Sequence, residues 1–475
     1  MQDFSPKHAR LFRKSLCTFL LLLCSAFLSP HLVAQAIDGT WGGQLQAGSV
    51  SLRLVVHLTQ EDNRLRATLD SPDQGAYGLK AETATFSDSL LSFRIPSIGA
   101  SYRGRLRPEG HIEGTFTQGG DLPLTLQREE NTGTLRPQEP QPPFPYRSEE
   151  VQIRNAQAGI TLSGTLTLPP DSATPCAAVV LLTGSGPQNR DSELFGHKPF
   201  LLLADYLTRR GLAVLRCDDR GTGHSEGHFA TATDADFATD AAACFSYLQG
   251  RPEIDPARIG LLGHSAGATA AFRCAADCPD VCFVVSLAGT ALPGDSILLY
   301  QNHELLRLAG KDSLWAQEYP PLRAFYDLLK CELPPATRAD SVYRFFLRAL
   351  PPEQQADSLT LARLRQQAET VTSPWITHFL RDDPAATIRR VRCPILALGG
   401  SRDTQVEAVP NLTALATAAE AGGNRQVETR IYEGLNHLFQ PCTTGAVNEY
   451  GQIRETMDPQ VLEDIATWIL KTAQR

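Results

Sequence analysis

Residues 258–271 read Arg258-Ile259-Gly260-Leu261-Leu262-Gly263-His264-Ser265-Ala266-Gly267-Ala268-Thr269-Ala270-Ala271. An apolar, strand-like run ends in Gly-His-Ser-Ala-Gly, and an alanine-rich helix start follows at once. A strand passing through Gly-x-Ser-x-Gly straight into a helix is the pattern of a nucleophile elbow, where small neighbours let the serine take a strained conformation and project its hydroxyl. Gly223-His224-Ser225-Glu226-Gly227 matches the same pattern, so context has to decide. Ser225 runs on into His228-Phe229-Ala230-Thr231-Ala232-Thr233, which has no helical opening. Ser265 is therefore read as the nucleophile and Ser225 as a loop residue.

Outward from Ser265 the chain alternates apolar runs (177–182, 212–215, 259–262, 283–287, 395–398, 427–432) with helix-length segments (199–210, 236–249, 266–276, 459–472). Near-continuous apolar strands with helices between them imply an α/β domain whose parallel sheet is covered on both faces. The alternation is interrupted over about 290–392 by a helix-rich insertion, expected as a cap over the carboxyl end of the sheet, where such sheets bind ligands.

A serine hydroxyl is a weak nucleophile and needs a histidine base oriented by a carboxylate. In this architecture they follow in the order acid, then histidine, on loops after later strands. Gly399-Gly400-Ser401-Arg402-Asp403 follows one apolar run and Glu433-Gly434-Leu435-Asn436-His437 the next. Asp403 and His437 are the residues in position, with Asp382 and Asp383 the next candidates for the acid. The oxyanion hole should use the backbone N–H of Ala266 and one from Thr183-Gly184-Ser185-Gly186-Pro187, with Ser185 the expected donor. Gly184 and Gly186 would let backbone approach the substrate. An ordinary glycine-rich turn is the alternative for that loop.

From Ile37 to about residue 130 the pattern is different. Leu52, Leu54, Val56 and Leu58 alternate with polar neighbours, as do Leu91, Phe93 and Ile95, and Leu122, Leu124 and Leu126. This is a small all-β domain, sandwich or barrel-like. His57 and His111 lie on its strands as ordinary surface or packed histidines. Residues 131–148 carry Pro137, Pro140, Pro142, Pro143 and Pro145, a density that excludes a helix and suggests an extended linker. The α/β domain then occupies 149–475.

Residues 1–36 read as a secretory signal: Lys7, Arg10, Arg13 and Lys14, an apolar run from Leu16 to Leu28, then Ala34-Gln35-Ala36 as a small-x-small cleavage site. The expected location is extracytoplasmic, periplasmic or secreted. The apolar run falls short of the ~20 residues needed to span a membrane, and no later stretch approaches that length. Cleavage near Ala36 leaves 40 basic against 51 acidic side chains, a balance of −11. Nucleic acid is a poor partner for such a surface. Nine cysteines remain, an odd number without paired zinc spacing, and several sit in apolar strand-like runs as expected for buried thiols. No metal or other cofactor is implied; His224 and His228 are four apart but lie in a glycine-rich loop with no helix to align them.

Several segments resemble a known family. GSGPQNRD (184–191), DDRGTGHSEG (218–227), GHSAG (263–267), SPWITHFLRDDP (373–384), GGSRDTQV (399–406) and LNHLFQ (435–440) are similar to segments of the α/β-hydrolases. Within them, they resemble exported bacterial serine esterases of the EstD-like group, which pair a β-rich N-terminal domain with the hydrolase; SPDQGAYG (71–78) looks similar to that first domain. A departure is Ala266, where the group more often carries Glu; the backbone role survives it. The resemblance implies a carboxylesterase acting on short to medium acyl esters of small molecules, with Trp375 of the SPW segment against the substrate. The spacing argument alone gives serine acyl hydrolysis. A peptidase or amidase with the same triad, and an inactive surface-binding protein of the same fold, remain as alternatives.

Overall fold

A computed structural model describes residues 37–474 apart from 48–49, 62–63, 72–75, 130–135, 171–174, 351–354 and 356. The segment read as a secretory signal lies outside the described residues. The chain divides into two compact units, 1–133 and 134–475.

Nine strands build the first unit: β1 (Gly39–Ala47), β2 (Val50–Glu61), β3 (Arg64–Ser71), β4 (Ala76–Lys80), β5 (Thr83–Ser87), β6 (Leu90–Ile95), β7 (Ala100–Leu106), β8 (His111–Thr117) and β9 (Asp121–Glu129). They form one antiparallel sheet in the order β4-β3-β2-β1-β9-β8-β7-β6-β5. The sheet curls so that β5 comes back against β3, which makes it barrel-like rather than a sandwich. Alternation puts Leu54, Val56, Leu58, Leu91, Phe93 and Ile95 inside around buried Trp41. His57 stays near the surface, its Nε2 2.7 Å from Asp70 Oδ2.

In the second unit the order is β10 (Arg147–Asn155), β11 (Ile160–Leu168), β13 (Ala213–Cys217), β12 (Cys176–Leu182), β14 (Ile254–His264), β15 (Val284–Leu287), β16 (Ile395–Gly400) and β17 (Val427–Tyr432). From β13 to β17 the pairing is parallel. The sheet is nevertheless mixed rather than wholly parallel, because β10 and β11 add an antiparallel edge. Burial in β10 alternates, so its sequence carries no continuous apolar run to announce a strand. Two apolar clusters, one on each face, pack the helices against the sheet. After β12 the chain crosses to β13 on one side and later to β14 on the other, so the carboxyl ends of β12 and β14 flank a topological switch point.

The proline-rich segment is a docked strap rather than a free spacer. Prolines remove backbone donors and fix φ, but they leave the side chains between them available. Arg136 donates to Phe195 O (2.9 Å) and Gly451 O (2.8 Å), Gln138 holds Met457 O (2.7 Å), and Tyr146 donates to Asp205 (2.9 Å).

Between β15 and β16 the helices Gly294–Leu308, Trp315–Lys330, Pro335–Ala349, Ser358–Val371, Pro374–Arg381 and Pro384–Ile388 form the cap. It has its own core of Leu299, Tyr326, Leu329, Val342, Ala368 and Leu380. Tyr300 donates from the cap to Asp403 O (2.7 Å), and Gln301 to Gln405 O (3.0 Å).

The turn from β14 into helix Ala266–Asp277 closes without room for side chains. A Cβ on Gly263 would run into Gly267 O, and one on Gly267 into the carbonyls of Leu182 and Thr183 at the end of β12. Gly267→Ala should therefore cost about 1–3 kcal/mol, as other overpacking substitutions do. Gly250→Ala, whose Cβ would meet nothing nearer than 3.6 Å, should stay within about 0.5 kcal/mol. Urea denaturation of the two variants checks the difference.

Candidate active site

Ser265 sits at φ 53°, ψ −120°, a backbone conformation that side-chain-bearing residues rarely adopt. Its N–H donates to Leu287 O at the end of β15 (2.8 Å), and its carbonyl accepts from Ala268 N (3.0 Å). The strained residue is thus held from both sides. Ala266 opens the helix, so its N–H has no intrahelical acceptor.

Asp403 follows β16 and is buried. Its Oδ1 accepts from the N–H groups of Gln405 (2.8 Å) and Val406 (2.9 Å), and its Oδ2 lies 2.7 Å from His437 Nδ1. A carboxylate accepting there places the imidazole proton on Nδ1 and leaves Nε2 as a proton acceptor. The loop bearing His437 is shaped by buried Asn436, whose Oδ1 accepts from Leu438 N (2.9 Å) and Gln440 N (3.0 Å). His264, the residue before the serine, donates from Nε2 to His437 O (3.0 Å) with the two rings 4.8 Å apart. Burial pushes His264 down to about 4, so it braces its neighbour as a neutral ring. The structure joins Asp403 to His437; among the described residues no hydrogen bond joins Ser265 Oγ to the imidazole. Such bonds are often long without substrate and tighten when it binds.

A cavity of about 630 Å³, counting the space open to solvent, is bounded by Gly184, Ser185, Ala266, Phe229, Phe237 and Trp375, with Asp219 and Asp234 also in its lining; it reaches Ala266, the residue after Ser265, but neither Ser265 nor His437 lines it. The two expected oxyanion donors share its wall. Trp375, on cap helix Pro374–Arg381, closes it from above and stacks on Phe379 at 5.2 Å. Gly186 does not line this cavity; at φ 88° it turns the chain after Ser185.

The second Gly-x-Ser-x-Gly serine has a structural task. Ser225 Oγ donates to Asp218 O (2.7 Å) and accepts from Ser163 N (2.9 Å), both inside the fold. The reserve acids are also occupied: Asp382 pairs with Arg273, and Asp383 caps the next helix at Ala386 N (3.1 Å).

The family described as serine aminopeptidase S33 matches residues 197–311. Esterase EstD of Thermotoga maritima is 26% identical over 314 residues, covering 65% of this chain and 66% of its own length. An uncharacterized protein of Mycobacterium tuberculosis is 37% identical over 106 residues, covering 22% of this chain and 37% of its own. Among solved structures, the Pyrococcus furiosus esterase Pf2001 overlays with a TM-score of 0.42 at 17% identity, covering 69% of this chain and 92% of that one. The chain thus spans about two-thirds or less of the length of these curated relatives. The chain has the fold of an α/β-hydrolase and is similar to EstD.

Sequence reading missed what carries the hydrolase's glycine-rich loop. Asp219 accepts from Thr183 Oγ1 (2.5 Å) and from Gln188 N (2.9 Å), gripping the segment around Ser185 on both sides. Its signal was present in DDRG, but its partners are 36 and 31 residues away. Burial raises the Asp219 carboxyl to about 7. A carboxyl whose folded pKa is raised stabilises the fold fully below its unfolded value near 4 and loses that contribution as pH rises through 7. Asn keeps an oxygen that accepts from Gln188 N, and its amide N–H can pair with Thr183 Oγ1 once that hydroxyl turns its own proton away. The stability of Asp219→Asn relative to wild type should therefore rise between pH ~4 and ~7 and level off above, as read from thermal unfolding across that range.

Proposed function

We propose that this α/β-hydrolase is a serine carboxylic ester hydrolase acting on short to medium acyl esters of small molecules through Ser265, His437 and Asp403. The observation carrying the reading is the strained Ser265, whose neighbour Ala266 lines a cavity with aromatic walls, together with the buried Asp403–His437 pair. His437 Nε2 takes the proton from Ser265 Oγ as the hydroxyl attacks the ester carbonyl. The tetrahedral oxyanion is met by the N–H groups of Ala266 and Ser185. Collapse expels the alcohol, protonated by His437, and leaves an acyl-enzyme; water attacks it with the same histidine as base. Asp403 fixes the tautomer and stabilises the imidazolium. Apolar and aromatic walls favour an acyl or aryl group.

The match of residues 197–311 to a family described as an aminopeptidase supports a second reading, hydrolysis of an amide or aminoacyl bond by the same triad. The secretory reading of residues 1–36 places either activity outside the cytoplasm; N-terminal sequencing of the exported protein tests it.

Ser265→Ala should abolish ester turnover and labelling by a fluorophosphonate, while Ser225→Ala retains the labelled serine. Asp403→Asn should lower kcat by about 10⁴, as loss of the orienting carboxylate does in serine proteases. Near wild-type rates in Asp403→Asn would place the acid elsewhere. A panel of acyl esters and aminoacyl anilides decides between the two leaving groups.

A further inference from the structure

Helix Pro374–Arg381 is the part of the cap that reaches the cavity, and side chains at both its ends are tied to the hydrolase core. At its far end Asp382 pairs with Arg273, on the helix that begins at Ala266. At the near end both contacts converge on Asp234, the first residue of core helix Asp234–Gln249. Trp375 Nε1 donates to Asp234 Oδ1 (3.1 Å), and His378 Nδ1 lies 3.4 Å from Asp234 Oδ2. Asp234 is only 3% exposed, and among the described residues no hydrogen bond reaches its Oδ2. A buried carboxylate with an incomplete set of donors is costly to keep. The helix start offers part of the compensation, since a negative charge is favoured in the first turn. The indole N–H supplies one hydrogen bond, to Oδ1, while Oδ2 has only the nearby His378 ring at 3.4 Å.

The consequence concerns Trp375. An indole on an exposed helix face can adopt several rotamers; this one is pinned by a hydrogen bond at one edge and by the Phe379 ring against its face, the two planes within 4°. Phe229 and Phe237 face the same cavity from the core, their centroids 5.3 Å apart. The geometry points to Asp234 as a specificity-determining positioning residue: by holding the Trp375 indole it sets the wall against which the distal part of the acyl group packs. This deepens the esterase reading and rests on it. Asp234 takes no part in bond making. An acetyl group, whose chain ends beside the oxyanion donors, does not depend on that wall, whereas a longer acyl chain running toward the cap does.

The test uses p-nitrophenyl acetate, butyrate and octanoate with wild type, D234N, D234A, W375F and the double variant D234A/W375F. Asparagine can still accept from the indole and should keep the wild-type preference. D234A and W375F should each lower the octanoate-to-acetate ratio of kcat/KM by about tenfold, the scale of a lost contact with part of an apolar substrate. The loss should appear in KM for the octanoate rather than in its kcat. Because both substitutions remove the same hydrogen bond, the double variant should be no worse than either single one. W375F leaves the start of helix Asp234–Gln249 intact, so it separates the wall from any loss of helix stability in D234A. Equal losses on acetate and octanoate in D234A and W375F, or a double variant whose ratio is the product of the singles, would overturn the inference. S265A run alongside keeps the two readings apart: hydrolysis lost in S265A with an unchanged ratio in W375F and D234A sinks this inference alone, while hydrolysis retained in S265A sinks the esterase reading beneath it.

Discussion

The carbonyls at the end of β12 press against the helix that begins at Ala266 so closely that Gly267 cannot carry a side chain, and Gly263 cannot because Gly267 O lies against it across the turn. That approach is what the rest of the site depends on. With the strand and helix forced together, the single residue at the crest must turn through a positive φ, and Ser265 does so. The same turn points the Ala266 N–H, at the positive end of the helix dipole, toward the space in front of the serine. The strain costs on the order of 1–3 kcal/mol, and it is offset locally by the hydrogen bond from Ser265 N to Leu287 O and by burial of the helix that follows. A serine on a relaxed loop would give up this fixed relation to the helix's first N–H.

Around this turn, charge is used to hold loops rather than to react. Arg190 lies 2.9 Å from Asp218, Arg220 lies 2.7 Å from Asp240, and Asp219 grips Thr183 and Gln188. Buried ion pairs contribute little net stability because desolvation opposes attraction, but removing one partner is strongly destabilising. Such pairs therefore favour one arrangement over its neighbours. Here that arrangement brings the loop after β12, which supplies Ser185, against the loop after β13, which supplies the cavity's side wall. Ser225 belongs to the same scaffold, its hydroxyl engaged with Asp218 O and Ser163 N.

What could be read from the sequence follows from how local each feature is. The parallel strands are apolar throughout because both faces are covered, and the elbow is a contiguous pattern, so both were legible. The edge strands β10 and β11 were not: β10 alternates burial, and only its partner shows that it is a strand. The proline-rich segment showed what its backbone could not do but gave no sign that Arg136, Gln138 and Tyr146 dock. Asp403 and His437, singled out from strand ends alone, do meet at 2.7 Å, whereas Asp219 and Asp234 were missed because a carboxylate takes its role from its partner. The partner of Asp234 is 141 residues away. Of the cap aromatics, Trp375 faces the cavity while Tyr326, Phe325 and Phe346 pack in the cap's own cluster; helical spacing in the sequence does not distinguish these fates.

The placement of the cap follows from the order of the strands. It leaves the chain after β15, whose last residue receives the Ser265 N–H, and returns before β16, whose following loop carries Asp403. β15 and β16 are hydrogen-bonded neighbours, so the ends of the insertion are fixed by the sheet and their separation does not change with what lies between. The described helices of the insertion can therefore be added without moving Asp403 relative to Ser265. What must then be specified is how the added helices lean, and it is specified by a few polar contacts: Tyr300 and Gln301 onto the acid loop, Asp382 with Arg273, and Trp375 onto Asp234. Apolar packing gives the cap its own core but little direction, because hydrophobic contact is not oriented. Hydrogen bonds are, and the contacts named here run from the cap to segments that also shape the site. The orientation of the lid is thereby tied to the geometry of the chemistry beneath it.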